Sequence, residues 1–229
     1  MATIRELGTL AAAVYEPKRK WVQGWKCIDY HAASGALNGF QAATFVRGGV
    51  TVICYRGSAQ LMDGVADLKL GTGMNSTYFS EGEAYARPHK NKTGVYVCGH
   101  SLGGAIAQVV ANRGGFRMVT FNAPGVAVLA SRNLPDATLT MTAIRAAGFV
   151  VGALRHPMQT GRDIAAAFNV VRGLNVCLQY DVVSRIGVHY GEVLRIPGTS
   201  INPYTEHLMA TVNLALDRNP VGKRHVEML

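Results

Sequence analysis

The sequence predicts an α/β fold, a mainly parallel sheet covered on both faces by helices. Three observations carry this. Short strand-like apolar runs alternate with helix-like segments, as parallel sheets require. The run Gly94-Val-Tyr-Val-Cys98 passes through a glycine-rich turn into a helix-like stretch, Ala105 to Asn112. The 229 residues, 48% hydrophobic and 16% charged, are enough for one sizeable core and a single domain over 1–229.

In order along the chain, Arg5 to Tyr15 reads as a short helix, because Leu7, Leu10, Ala11 and Val14 recur at helical spacing. The basic turn Glu16-Pro-Lys-Arg-Lys20 ends it. Strands are expected at Trp25 to Tyr30, Phe40 to Val46 and Val50 to Tyr55, the last two joined by a hairpin at Arg47-Gly48-Gly49. A polar, glycine-rich stretch follows. Further strands are expected at Arg117 to Asn122, Asn175 to Tyr180 and Glu192 to Ile196. Thr205 to Arg218 reads as the last helix, with Leu208, Val212 and Leu216 on one side. Between the strands, about Ser131 to Gly173 is rich in Ala, Val, Gly and Arg, and is expected to be a helical cap or lid inserted over one end of the sheet. Its arginines lie beside Phe149, Val150, Val151 and Leu154, a pairing that fits either an element resting on an anionic membrane surface or a helical pair packed on the sheet with its arginines solvated.

Composition excludes several classes. An ordinary apolar content with no low-complexity tract excludes a disordered chain. No Sec-type signal opens the sequence, and the apolar stretch Ala146 to Leu154 is far shorter than the roughly 20 residues that span a bilayer, so a soluble chain is expected. The expected location is the cytoplasm, or outside it by a signal-independent route. Cys27, Cys54, Cys98 and Cys177 lack zinc or thioredoxin-type spacing, so no metal or cofactor is expected, and Cys54, Cys98 and Cys177, each in a strand-like run, are expected to be buried free thiols. The net charge of +9 attracts anionic partners, but no nucleic-acid-binding motif accompanies it.

The chemistry centres on Gly99-His100-Ser101-Leu102-Gly103. This pattern fits a nucleophile elbow, in which a serine sits on a strained turn between a strand and a helix. Glycines two residues either side are required, because a Cβ there would strike the neighbouring strand or helix. A serine nucleophile needs a base and an acid to orient that base, in the chain order Ser, Asp or Glu, His. Asp181 ends the Asn175 to Tyr180 strand, at the edge where such sites are built, whereas Asp136 and Asp163 fall in the insertion. For the base, His189 and His207 lie in range. His207 is preferred because it follows the loop Asn202-Pro203-Tyr204, and His189 fits a structural hydrogen bond. His100 points elsewhere in this kind of elbow and receives no catalytic role.

Beyond the elbow, Thr51-Val-Ile-Cys-Tyr-Arg-Gly-Ser58, Asp63-Gly-Val-Ala-Asp-Leu68, Phe121-Asn-Ala-Pro-Gly125, Asp181-Val-Val-Ser-Arg185 and His189-Tyr-Gly-Glu192 together resemble the class 3 (fungal-type) lipases. The resemblance implies an α/β-hydrolase fold with catalytic Ser101, Asp181 and His207. It also implies an oxyanion hole from the backbone amides of Ser58 and Leu102, with the Ser58 hydroxyl as a third donor. Two departures stand out: Asp181 follows Ser101 by 80 residues, longer than in the family, and His207 follows Asp181 by 26, which is short. The family's lid belongs after Ser58, including Leu70 to Ser80, and here the later insertion is expected to do that work instead.

The expected function is therefore hydrolysis of lipid carboxylic esters, as a lipase or phospholipase A, with an anionic membrane surface as a peripheral partner. The alternatives are a soluble esterase or thioesterase, an antibacterial phospholipase effector blocked by an immunity-type protein, and a non-catalytic member of the fold that binds a lipid or protein.

Overall fold

The computed structural model describes residues 1–16, 19–32, 39–57, 76–126 and 171–229. In these, eight strands form one sheet in the order in which they occur along the chain. They are β1 (Trp21–Val22), β2 (Trp25–Ala32), β3 (Gln41–Arg47), β4 (Val50–Tyr55), β5 (Val95–His100), β6 (Arg117–Phe121), β7 (Gly173–Leu178) and β8 (Glu192–Ile196). Strands β1 to β4 pair antiparallel. Strands β4 to β8 are all parallel. The sheet is thus mixed and mostly parallel, as the alternation of strands and helices predicts.

The β3–β4 hairpin closes through Gly48 and Gly49, with Arg47 opposite Val50. Both glycines have positive φ, +54° and +80°. That pair of angles makes a primed turn matched to the right-handed twist of the strands, and glycine adopts it without a Cβ clash.

Successive residues of the central strands feed two cores. Val52, Cys54, Tyr96, Cys98, Val119 and Phe121 face one, packed on α1 (Ile4–Ala13) and on the C-terminal helix Met209–Arg218. Ile53, Tyr55, Val95, Val97 and Met118 face the other, packed on α2 (Ser76–Ala86) and α3 (Leu102–Gly114). All six residues of β5 are buried, as expected of a strand covered on both faces. Cys54, Cys98 and Cys177 are buried free thiols, and Cys27 is a half-buried one.

Helix α1 begins one residue earlier than its apolar spacing indicates. Thr3 and Glu6 form a reciprocal capping box, a Thr-x-x-Glu signature that satisfies two of the helix's first amides. Helix α2 falls within the stretch that reads as polar and glycine-rich. Its Gly82 sits so close to α3 that a Cβ would lie 2.5 Å from Ile106 Cγ2, and the Gly82 carbonyl accepts from Tyr55 Oη at 3.0 Å.

The last helix is a correction to the sequence reading. Thr205 to Arg218 is not continuous: α4 (Pro203–His207) stops at Leu208, whose φ of −68° and ψ of 138° are extended, and α5 (Met209–Arg218) starts afresh. Leu208 is 47% exposed rather than part of the buried stripe, which Met209, Val212 and Leu216 supply. The break carries His207 to the sheet edge. The expected helical insertion, about 131 to 173, lies outside the described residues except for its last three, where β7 begins. No helix among the described residues is long and apolar enough to cross a membrane.

The stripe on α1 sets a stability expectation. Leu10 is fully buried against the sheet, whereas Leu214 on α5 is 41% exposed. Leu10→Ala should cost about 2–5 kcal/mol in chemical denaturation, and Leu214→Ala within about 0.5 kcal/mol. Equal losses would contradict the packing described for α1.

Candidate active site

Strand β5 ends at His100 and α3 begins at Leu102, so Ser101 alone makes the turn, with φ 57° and ψ −127°. A non-glycine residue in such a conformation costs of order 1–3 kcal/mol and persists only where neighbours impose it. Here they do. The Ser101 amide donates to the Phe121 carbonyl at 3.0 Å, while the Ser101 carbonyl accepts from Ala105 at 3.1 Å. A Cβ on Gly99 would lie 2.3 Å from the Gly103 carbonyl carbon, and one on Gly103 would lie 2.1 Å from the Tyr55 carbonyl oxygen. The two glycines are therefore needed against helix and strand respectively, as the motif predicts.

Asp181 and His207 reach this serine from two other elements. Asp181 sits three residues beyond β7, in a turn whose amide bonds the Leu178 carbonyl at 3.2 Å. His207 ends α4. His207 Nε2 lies 2.9 Å from Ser101 Oγ and His207 Nδ1 lies 2.7 Å from Asp181 Oδ1. A carboxylate only accepts, so Nδ1 carries the hydrogen and Nε2 presents a lone pair to the serine hydroxyl. All three side chains are buried. This arrangement can take a proton from an alcohol and hold the resulting imidazolium beside a carboxylate.

Burial pushes the Asp181 carboxyl upward, but the hydrogen bond and charge of His207 and the hydrogen bonds of Ser184 outweigh it and hold the group below its ordinary value. The Ser184 amide donates to Asp181 Oδ2 at 2.8 Å, and the Arg195 guanidinium holds Ser184 in turn through its carbonyl at 3.1 Å. The carboxylate therefore stays ionised and fixed.

The other expected residues fall as follows. His189 donates through Nε2 to the Ala123 carbonyl at 2.8 Å, so the structure brings His207, not His189, to Ser101. Leu102 is the first residue of α3, where an amide has no acceptor within its own helix and is free to face a negative charge. Ser58 lies outside the described residues. The chain before it is described to Gly57, where an added Cβ would stand 3.3 Å from Ser101 Cβ. Among the described residues no cluster of His, Cys, Asp and Glu gathers that could hold a metal ion.

Several residues at this edge escape sequence reasoning. Asn122, at φ 44°, accepts from the Leu178 amide at 2.8 Å and donates to the Glu206 carbonyl at 2.7 Å, tying β7 to the segment that carries His207. The buried Glu206 carboxylate receives the amides of Thr199 and Ser200 at 2.9 and 2.8 Å. The motif Phe121-Asn-Ala-Pro-Gly125 contains Asn122, but only the fold reveals what it bridges. His100, set aside above, is buried and contacts the His207 backbone.

Burial, followed by the nearby His207, depresses the His100 pKa to about 3, from an ordinary 6.5. Between those values the unfolded chain binds a proton that the folded chain refuses, so stability rises with pH across that window. Denaturation curves should show stability falling as pH drops from about 6.5 toward about 3, with a shallower slope in His100→Asn. An unchanged slope would mean that His100 is not the buried neutral group described.

A family model for a Tle-like phospholipase domain matches residues 6–192, a span that includes Ser101 and Asp181 and ends before His207. An extracellular phospholipase A1 of Serratia liquefaciens is 32% identical over 101 residues, which make up 43% of this chain and 32% of that protein. The matched segment thus spans about a third of that relative's length. Among solved structures, the native Rhizomucor miehei lipase propeptide complex superposes with a TM-score of 0.50 at 15% identity, over 93% of this chain and 77% of the other. A triacylglycerol lipase from Penicillium expansum superposes with a TM-score of 0.48 at 15% identity, over 86% of this chain and 79% of the other. The Rhizomucor match shows the fold, that of an α/β hydrolase, and the family match covers most of the sequence: this chain belongs to the Tle-like phospholipase domain family.

Proposed function

We propose that this chain hydrolyses the acyl ester bonds of glycerophospholipids, with Ser101 as nucleophile, His207 as general base and acid, and Asp181 as the residue that orients His207. The observation that carries the reading is the line from Ser101 Oγ to His207 Nε2 at 2.9 Å and from His207 Nδ1 to Asp181 at 2.7 Å. Family membership and the Serratia phospholipase A1 support the substrate class.

In this mechanism His207 Nε2 takes the Ser101 proton as Oγ attacks the ester carbonyl carbon, and the carbonyl π electrons move to the oxygen. The amide of Leu102, together with the amide and hydroxyl of Ser58, receives the negative charge that develops there. Collapse breaks the ester C–O bond, and His207 returns the proton to the departing lysophospholipid alkoxide. The acyl group stays on Ser101. Water then repeats the attack with His207 again as base, releasing the fatty acid and restoring the serine. Asp181 keeps its negative charge throughout and stabilises each imidazolium.

The net charge of +9 favours anionic vesicle surfaces as the place of action. An immunity-type protein that inhibits hydrolysis is proposed as a partner, tested by whether the product of a small neighbouring gene blocks the purified enzyme.

The test is a hydrolysis screen of purified protein on phospholipid vesicles, triacylglycerol and short-chain esters. Ser101→Ala should abolish hydrolysis, with a loss of at least about 10⁴-fold, while the protein stays folded. His207→Ala should be almost as severe and His189→Ala mild. A dead His189→Ala beside an active His207→Ala would overturn the assignment of the base.

Charge gives a second expectation. Hydrolysis of vesicles should increase with anionic lipid content and decline as salt is raised, because screening shortens the reach of surface charges to about 10 Å at 0.1 M ionic strength. Hydrolysis of a soluble short-chain ester should change little over the same range. Parallel changes on both substrates would remove the membrane surface from the proposal.

A further inference from the structure

Behind Ser101, a second line of hydrogen bonds, part-buried at Tyr15 and buried at His100, runs between parts of the site that are far apart in sequence. His100 Nε2 lies 2.6 Å from the carbonyl oxygen of His207. A carbonyl only accepts, so Nε2 carries the hydrogen and His100 Nδ1 must be the acceptor. The group facing Nδ1 is Tyr15 Oη at 3.2 Å, which therefore donates to it. Tyr15 Oη in turn accepts the amide hydrogen of Gly57 at 3.0 Å. The direction is thus fixed from end to end: Gly57 amide to Tyr15 hydroxyl to His100 ring to His207 carbonyl.

The two ends give the line its meaning. Gly57 immediately precedes Ser58, the expected oxyanion donor, and the His207 carbonyl belongs to the base. Nothing along the line has slack. An added Cβ on Gly57 would stand 2.6 Å from Tyr15 Oη, 2.7 Å from the His100 carbonyl oxygen and 3.3 Å from Ser101 Cβ. The His100 and His207 rings lie 4.8 Å apart, and the Arg56 guanidinium covers the Tyr15 ring at 5.2 Å. The line also needs His100 neutral, in a single tautomer. With its pKa lowered to about 3, and that of Tyr15 raised to about 12, first of all by burial, neither group changes charge near neutral pH.

We propose that Tyr15 and His100 are positioning residues, which hold the start of the oxyanion segment and the backbone of the general base at a fixed separation. The proposal rests on the Ser101, His207 and Asp181 assignment above. Neither residue touches the reacting atoms. Their effect falls on the transition state, where oxyanion donors and base must both be in place, and leaves substrate binding almost unchanged.

The test is steady-state kinetics on a soluble short-chain ester with Tyr15→Phe, His100→Gln and the double variant. Tyr15→Phe keeps the ring under Arg56 and removes only the hydroxyl. His100→Gln can place an N–H near the former Nε2 position, within reach of the His207 carbonyl, and leaves no acceptor at the Nδ1 position that faces Tyr15. Both break the same link, so if one fails to fold the other still tests the proposal. Each should lower kcat about 10- to 100-fold with KM within about two-fold. The double variant should be no worse than the more impaired single one, because residues acting as a unit are not additive. A folded variant with kcat within two-fold of the wild type, a loss carried by KM, or losses that multiply in the double variant would each overturn the proposal. Ser101→Ala in the same assay separates the two levels. If it is as active as the wild type, the functional reading falls and the relay with it; if it is dead while Tyr15→Phe is unimpaired, only the relay falls.

Discussion

At Ser101 the chain leaves a buried strand and enters a buried helix through a backbone conformation that few residues adopt, φ 57° and ψ −127°. The turn exists only because there is no Cβ at Gly99 or Gly103. One would overlap the start of α3, the other the end of β4. Much else at this edge follows from that requirement. The close approach of α3 to Tyr55 sets the depth of the helix. Gly104, whose Cβ would lie 2.5 Å from Ala123, brings the same helix against the segment after β6. The Ser101 hydroxyl is then presented at the carboxyl edge of the parallel strands, where the ends of β4, β6 and β7 converge.

Electrostatics fix the remaining partners. A buried carboxylate beside a buried histidine is costly unless its lone pairs are satisfied. Asp181 meets this condition with His207 on one oxygen and the Ser184 amide on the other. The histidine is held through the backbone as well as the ring. Asn122 grips the carbonyl before it, and His100 grips its own. The Leu208 break lets α4 and α5 take separate directions, so that Val212 and Leu216 reach the core while His207 faces the serine.

How much of this the sequence discloses depends on how local the determinant is. The elbow is legible because its glycine spacing encodes a steric need within five residues. Asp181 is legible because it follows a strand whose end defines the sheet edge, and β8 is recovered without error at Glu192–Ile196. Helix α2 is hidden because its buried face is Phe79, Gly82 and Ala86, flanked by the half-buried Tyr78 and Tyr85, rather than an aliphatic stripe. The break at Leu208 is hidden because its apolar spacing continues a helical pattern that tertiary packing overrides. Tyr15 and His100 are 85 residues apart, and His100 and His207 are 107 apart. No periodicity or motif joins such positions, and only the folded sheet brings them together.

The central claim is that Ser101 is a nucleophile activated by His207, and covalent trapping tests it most directly. The intact protein is treated with a fluorophosphonate, and the modified residue is mapped by peptide mass spectrometry. The account predicts a single adduct on Ser101, formed rapidly by the wild type and far more slowly by His207→Ala. Labelling at another residue, or equal rates with and without His207, would contradict it.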